Sequence, residues 1–350
     1  MYGGAVQVIN LVAGLADRGV RGTLVCAEGG LVAVAAQARG IDVLPVPMGG
    51  DLDVGFVVRL TRIIRRLKPT VVHVHSRRGA DWFGGLAARL AGVPAVLSRR
   101  VDSQESIAGR PKYRLYRRVI AISGCIRSQL LAAGVPDDKV RLVRSGVATV
   151  ADAPAWPRER FLREFGLDDD AFVIGMIAQL ISRKGHEYLL DALPAIHAAY
   201  TGTRALLFGA GALEARLAAL AEQKQLGDVV RLAGFRHDLA EFLGHLDVIV
   251  HPATREGLGV SVLEAQAAGV PVVAFRAGGV AEAVNDGVTG KLVSPRDVAG
   301  LERALTHLAW HPQERAKMGA AAREWVADQF GIDAMINGNL AVYRELTGTT

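Results

Sequence analysis

Two glutamates, Glu256 and Glu264, stand eight positions apart in the stretch REGLGVSVLEAQAAGVPVVAF. Between them come Gly257, Leu258, Gly259 and Val260. Glycines let backbone N–H groups approach a ligand closely. A helix that opens just after them adds partial positive charge at its amino end. That combination suits a diphosphate. A carboxylate can accept from two vicinal hydroxyls, as on a ribose or a sugar ring. Upstream, Arg183 and Lys184 in LISRKGHEYLL could stabilise negative charge on a leaving group without a metal. Taken alone, Glu264 is equally compatible with an ordinary helix-surface residue.

Other candidates have blander readings beside the chemical one. His73 and His75 share one face of a strand by their two-residue spacing. Two ligands fall short of a zinc site, so His75 is read as lining a cleft. Asp51 and Asp53 form an Asp-x-Asp pattern, but they precede a helix, and capping is the better account. Gly209-Ala210-Gly211 lacks the rest of a dinucleotide fingerprint, because position 214 is Glu. Cys26 and Cys125 fit no metal or redox spacing. No metal site is expected.

The elements that must position these groups alternate. In the first half, strands are expected at 23–26, 41–46, 71–75, 95–98, 119–122 and 140–144. Helices are expected at 5–18, 31–39, 56–67 and 82–91, and the stretch 99–118 reads as a basic loop and helix. ADAPAWPRER has the composition of a linker. Beyond it, strands are expected at 172–178, 205–208, 229–232, 248–251, 270–275 and 291–293, with helices between. Such alternation means mostly parallel sheets. The 350 residues, half of them apolar, suffice for two cores. No apolar run reaches the roughly 18 residues of a membrane span, and no leader of signal-peptide type opens the chain. Charge is uneven: residues 1–160 carry 24 Lys and Arg against 12 Asp and Glu, the remainder 17 against 23. A basic half raises nucleic acid or an anionic membrane as partners, against a merely solvated Arg-rich surface.

Several segments together resemble the retaining glycosyltransferases of the family 4 type. They are Glu-x7-Glu followed by GVPVVA, LISRKGHEYLLDAL, LLFGAGALEARL, RLAGFRHDLAEFLGHLDVIVHPA and GGVAEAVNDGVTGKLV. VVHVHSRRGADWFGGLAARLAGVP and VIAISGCIRSQLLAAGVP match weaker patterns in the first half. The resemblance spans nearly the whole chain. It implies the α/β GT-B fold, two doubly wound Rossmann-like domains facing across a cleft. An acceptor-side domain would cover 1–153 and a nucleotide-sugar domain 154–329. A helix at 330–350 would return to the first.

By motif, the resemblance has Glu264 hold the nucleotide ribose and Glu256 meet the donor sugar. Gly257, Leu258, Gly259 and Val260 would offer backbone to the diphosphate, and Arg183 and Lys184 would neutralise it. Phe235 and Arg236 lie where the family contacts the base. Gly3 and Gly4 match its first glycine loop. Gln179 stands where the family has an Arg, and Arg100 where it often has a His. Arg99 and Arg100 are therefore acceptor-side candidates for a phosphate.

The expected reaction is sugar transfer from a nucleotide-diphosphate sugar to an acceptor hydroxyl, with retention and without metal. The expected donor is a UDP-sugar. The expected setting is assembly of a cell-envelope glycan or lipopolysaccharide on a lipid-linked acceptor. The protein would be cytoplasmic, with basic residues between Arg99 and Arg118 near anionic membrane, and no nucleic acid as partner. The alternatives are a nucleotide-sugar epimerase on the same architecture and a donor-binding subunit whose catalysis has decayed. Finally, the glycine pair of MYGGAVQVIN reads as a turn after a first strand that is missing. That strand is central in such a sheet. The natural chain is expected to begin roughly 10–20 residues upstream.

Overall fold

A computed structural model describes residues 3–50, 53–75, 79–103, 105–148 and 154–348. The chain forms two compact units. One comprises Met1–Gly146 with Ile332–Thr350, the other Val147–Gly331.

The second unit holds one six-stranded parallel sheet. Its strands, in a numbering that runs through the whole chain, are β7 (Phe172–Ile177), β8 (Thr203–Phe208), β9 (Val230–Gly234), β10 (Val248–His251), β11 (Val272–Phe275) and β12 (Gly290–Val293). Their spatial order is β12-β11-β10-β7-β8-β9. Every crossover is helical, so both faces are covered. That is why the strands read as near-continuous apolar runs. Phe172, Ile174, Met176, Val248, Val250, Val273 and Phe275 form the core with Leu189, Leu193, Leu301 and Leu305 from flanking helices. The order reverses between β7 and β10, and ligands of such sheets bind beyond the strand ends there.

The first unit contains β1 (Thr23–Ala27), β2 (Asp42–Val46), β3 (Val72–His75), β4 (Ala95–Arg99), β5 (Arg118–Ala121) and β6 (Val140–Leu142). All pairings are parallel, but they form two sheets, β1-β2 and β3-β4-β5-β6. Among the described residues β1 pairs only with β2, and β3 only with β4. Burial follows the pairing. β4 and β5 are almost wholly buried, whereas β1 and β3 are half-buried along their length. Helix Ile332–Thr347 belongs to this unit. It lays Val342 and Tyr343 on Val96 and Ile120 of the four-stranded sheet and on Val143 just beyond β6.

Two local expectations need correction. Gly3 and Gly4 do not form a turn but open helix Gly3–Ala16. Glycine in a first helical turn escapes most of its interior cost, since those N–H groups lack helical partners anyway. Gln7 of that helix ties it to the sheet by exchanging hydrogen bonds with the Gly146 backbone at 2.6 and 3.1 Å. The basic stretch 99–118 is not a free cationic surface. Lys112, 6% exposed, lies 2.6 Å from Asp81 and 3.0 Å from Glu105. Arg99 also pairs with Glu105, and Arg118 with Glu345. Arg110, Arg114 and Arg117 remain exposed. Asp53 does act at a helix start, accepting from the N–H groups of Phe56 (3.1 Å) and Gly49 (2.8 Å). Asp51 lies outside the described residues. No helix among the described residues is long and apolar enough to cross a membrane.

Candidate active site

The loops leaving β7 and β10 are locked together beyond the switch point. The Thr254 N–H donates to the Arg183 carbonyl at 3.0 Å. Gly185 has φ 77°, and a Cβ there would stand 2.0 Å from the Pro252 carbonyl oxygen. Only glycine fits both the left-handed backbone and the close approach. This contact sets Lys184 beside Glu256.

Glu256 is held from three sides. Lys184 Nζ donates to Oε2, His251 Nε2 approaches the same oxygen at 3.3 Å, and the Gly257 N–H donates to Oε1 at 3.2 Å. Burial pushes the carboxyl pKa up, but the His251 hydrogen bond and the Lys184 charge outweigh it. The group therefore sits well below the usual carboxylate range and stays ionised. His251 is 1% exposed, and burial lowers its pKa. Facing an ionised acceptor, its Nε2 must carry the proton. His186, 2% exposed, lies next to this group. Burial, then the charges of His251 and Lys184, bring it down to about 4.

Gly259, with φ 91°, turns the chain into helix Val260–Ala267. Leu258 is 1% exposed, so only its backbone can serve a ligand. The amides of Val260 and Ser261 meet no carbonyl of the chain among the described residues, leaving donors for an anion. Glu264 stands one turn into the helix, half-buried. No hydrogen bond or ion pair to its carboxyl is formed among the described residues, and burial pushes its pKa up to about 7. One glutamate is thus satisfied internally, while the other waits for hydroxyl donors.

Gly279 closes the site from behind. Its N–H donates to the Glu256 carbonyl at 2.9 Å, and a Cβ on it would fall 2.1 Å from the Gly257 oxygen. Gly279→Ala should displace the Glu256–Gly259 loop and lower turnover about 100-fold, with far-ultraviolet circular dichroism unchanged. Normal turnover in that variant would mean the loop position is immaterial.

The remaining residues distribute unevenly. Arg183 Nη1 reaches the Arg255 carbonyl at 3.3 Å and forms no ion pair among the described residues. Arg236 is not poised for a base. It makes a two-fold contact with Asp238 at 2.8 Å for each bond, reaches Glu164 at 2.6 Å, and lies over Trp156, Phe165 and Phe242. Phe235 follows β9 and packs edge-on against His237. In the first unit, Arg99 is taken up by Glu105, Tyr113 and Ser103, so it is no open acceptor contact. His73 bonds Tyr343 and Ser98 through both nitrogens, which removes it as a metal ligand. His75 and Arg100 lie on the same face. The sequence reading passed over His251 and His186. A histidine at the end of the strand beside the switch point was the available signal.

Comparisons with known proteins bear on the family and the fold. Residues 157–325 match the family Glycosyl transferases group 1, and residues 1–150 match Glycosyltransferase Family 4. The GDP-mannose-dependent alpha-(1-6)-phosphatidylinositol monomannoside mannosyltransferase of Mycolicibacterium smegmatis is 31% identical over 275 residues, covering 71% of this chain and 72% of that protein. The 2-deoxystreptamine glucosyltransferase of Streptomyces kanamyceticus is 28% identical over 298 residues, 79% and 77% of the two chains. A glycosyltransferase structure from Rickettsia africae superposes with TM-score 0.88 at 21% identity, covering 99% of this chain and 95% of that one. Anabaena Alr3699/HepE with UDP and glucose superposes with TM-score 0.85 at 20% identity, covering 98% and 96%. Two doubly wound units and matching families in both halves make this chain a GT-B glycosyltransferase, with a family 4 first part and a group 1 second part.

Proposed function

We propose that the enzyme transfers a hexose from a nucleoside diphosphate sugar to a hydroxyl of a lipid-borne cell-envelope glycan, with retention and without a metal. The observation that carries this is the contrast at the switch point. Glu264 is an unpartnered carboxylate suited to two ribose hydroxyls, while Lys184 and Glu256 form a fixed pair one loop away. Glu264 would hold the ribose. Open amides at the start of helix Val260–Ala267 and the charge of Arg183 would receive the diphosphate. Glu256 would accept from the donor sugar.

In the reaction, the anomeric C–O bond breaks and its electron pair goes to the terminal phosphate oxygen. The acceptor oxygen bonds the anomeric carbon from the same face. Its proton passes to the departing phosphate. Lys184 and Arg183 stabilise the growing phosphate charge. The names of relatives at 31% identity specify GDP-mannose and a phosphatidylinositol mannoside. They favour GDP-mannose over the UDP-sugar expected from sequence. The exposed Arg110, Arg114 and Arg117 support a peripheral stay at an anionic membrane.

A donor screen with GDP-mannose, UDP-glucose and ADP-glucose tests the reading, run with and without EDTA on a glycolipid acceptor. An α-linked product from an α-donor, formed equally in EDTA, is expected. An inverted linkage or loss of activity in EDTA would overturn the mechanism. Isomerised donor formed without acceptor would favour an epimerase.

A further inference from the structure

The first unit contains a cation that the site described so far does not use. β3 and β4 pair in register with His75 opposite Ser98. Alternation along the two strands then puts His73, His75, Ser98 and Arg100 on one face. His73 is anchored, with Nδ1 2.5 Å from the Tyr343 hydroxyl and Nε2 2.9 Å from Ser98 Oγ. Its ring lies against that of His75, centroids 3.9 Å apart and planes tilted by 35°. His75 Nδ1 and Arg100 Nε are both buried without a partner. The single hydrogen bond of Arg100 among the described residues runs from Nη1 to Ser145 Oγ at 3.1 Å. No carboxylate among the described residues meets it. The contrast with Arg99 is direct, since that neighbour has Glu105, Tyr113 and Ser103.

A half-buried guanidinium with no counter-ion among the described residues loses hydration without compensation. Burial brings the Arg100 pKa down to about 10, and with the Arg100 charge brings His73 down to about 3. His75 falls well below its usual value, through burial and then the neighbouring His73 and Arg100. Both imidazoles are therefore neutral, and among the described residues of the cluster the charge is that of Arg100. A fold bears such an arrangement where a ligand supplies what is absent. The cluster also lies at the carboxyl ends of β3 and β4, the ligand-binding edge of a doubly wound sheet.

We propose that Arg100, with Ser145 and His75, forms an anion subsite for a phosphoryl group carried by the acceptor. The proposal rests on the reading of the first unit as the acceptor side. A guanidinium fork suits both carboxylate and phosphate. The Ser145 hydroxyl and a His75 N–H add donors beyond the guanidinium fork, and a phosphoryl group has more oxygens to receive them than a carboxylate has.

The test uses the full chain with saturating GDP, so that the donor's own phosphate site is filled. Thermal midpoints are measured with inorganic phosphate, glycerol 3-phosphate, glycerol and malonate. Both phosphates are expected to raise the wild-type midpoint at millimolar concentration, with glycerol and malonate inert. Arg100→Met should raise the midpoint without ligand, because it removes a half-buried cation that meets no carboxylate among the described residues, and should abolish the phosphate response. Arg100→Lys should keep a weakened response. In the wild type, the imidazole proton resonances of His75 should shift on phosphate addition, a readout that does not depend on any variant folding.

An equal phosphate response in Arg100→Met overturns the proposal. So does a response seen only without GDP, which would assign the anion to the donor. A response to malonate matching that to phosphate would overturn the phosphoryl assignment. A lower midpoint for Arg100→Met with no phosphate response in either protein would make Arg100 structural. GDP binding without a phosphate response sinks the subsite alone. A phosphate response without GDP binding sinks the donor reading alone.

Discussion

Glu264→Ala should weaken nucleoside diphosphate binding about 150-fold. Two ribose hydroxyls donating to one carboxylate are worth about 3 kcal/mol together when the acceptor is charged and half-buried. The carboxyl has no partner among the described residues to replace them, and its pKa is already up to about 7 through burial. The pH dependence has a definite sign. The folded-state value is above the unfolded value near 4.5, so the contribution to stability is full below pH 4.5 and lost as pH rises through 7. The loss amounts to up to about 3 kcal/mol. Binding runs the other way, because the hydroxyls favour the ionised carboxylate. Wild-type affinity should fall about tenfold per pH unit below 7, and Glu264→Ala should flatten that profile. Calorimetric titration with GDP and UDP from pH 5 to 8 measures both effects. Unchanged affinity, or an unchanged slope, would detach Glu264 from the nucleotide.

Much of this site was legible because its parts are close in sequence. Glu256, Gly257, Gly259 and Glu264 fall within nine residues, and the strand before them is a buried apolar run bounded by His251 and Pro252. Parallel strands covered on both faces give just such runs, so the alternation in the second unit could be followed strand by strand. Side-chain commitments across long separations could not. Arg236 looks available until Glu164, 72 positions away, is brought against it. Lys112 looks exposed until the fold buries it with Asp81. A charged residue's partner decides whether it is structural or open to a ligand, and sequence names the charge without the partner. The glycine pair at residues 3 and 4 failed for a different reason. Glycine marks a turn only where positive φ is needed, and neither Gly3 nor Gly4 is among the positive-φ glycines. The split of the first sheet was not legible from alternation alone; only the resemblance, in which the glycine pair follows a central first strand, pointed to it.

Lys184→Met should lower kcat about 1000-fold, with the donor KM raised less than tenfold. The resting ion pair with Glu256 does not disqualify Lys184 as the cation of the transition state. An ammonium has three N–H groups, and Glu256 Oε2 occupies one. The others can reach the leaving phosphate when its charge grows, and a preorganised donor in such a site contributes a factor of about 100 to 1000. The loss is placed at the upper end because Lys184 acts twice. Removing it also takes from Glu256 its one lysine partner, while His251 Nε2 and the Gly257 N–H stay, and burial then pushes the pKa of that carboxyl up. Glu256→Gln should lower kcat comparably, and the double variant should lose little more than either single one, since partners in one unit are not additive. His251 separates the two roles. His251→Gln can still place an N–H near Glu256 and should retain most activity, whereas His251→Leu should lose it with a lesser effect on nucleotide affinity. Single-turnover rates on the four variants and the double variant decide the matter. Losses that simply multiply would show Lys184 and Glu256 acting separately, each on its own part of the donor.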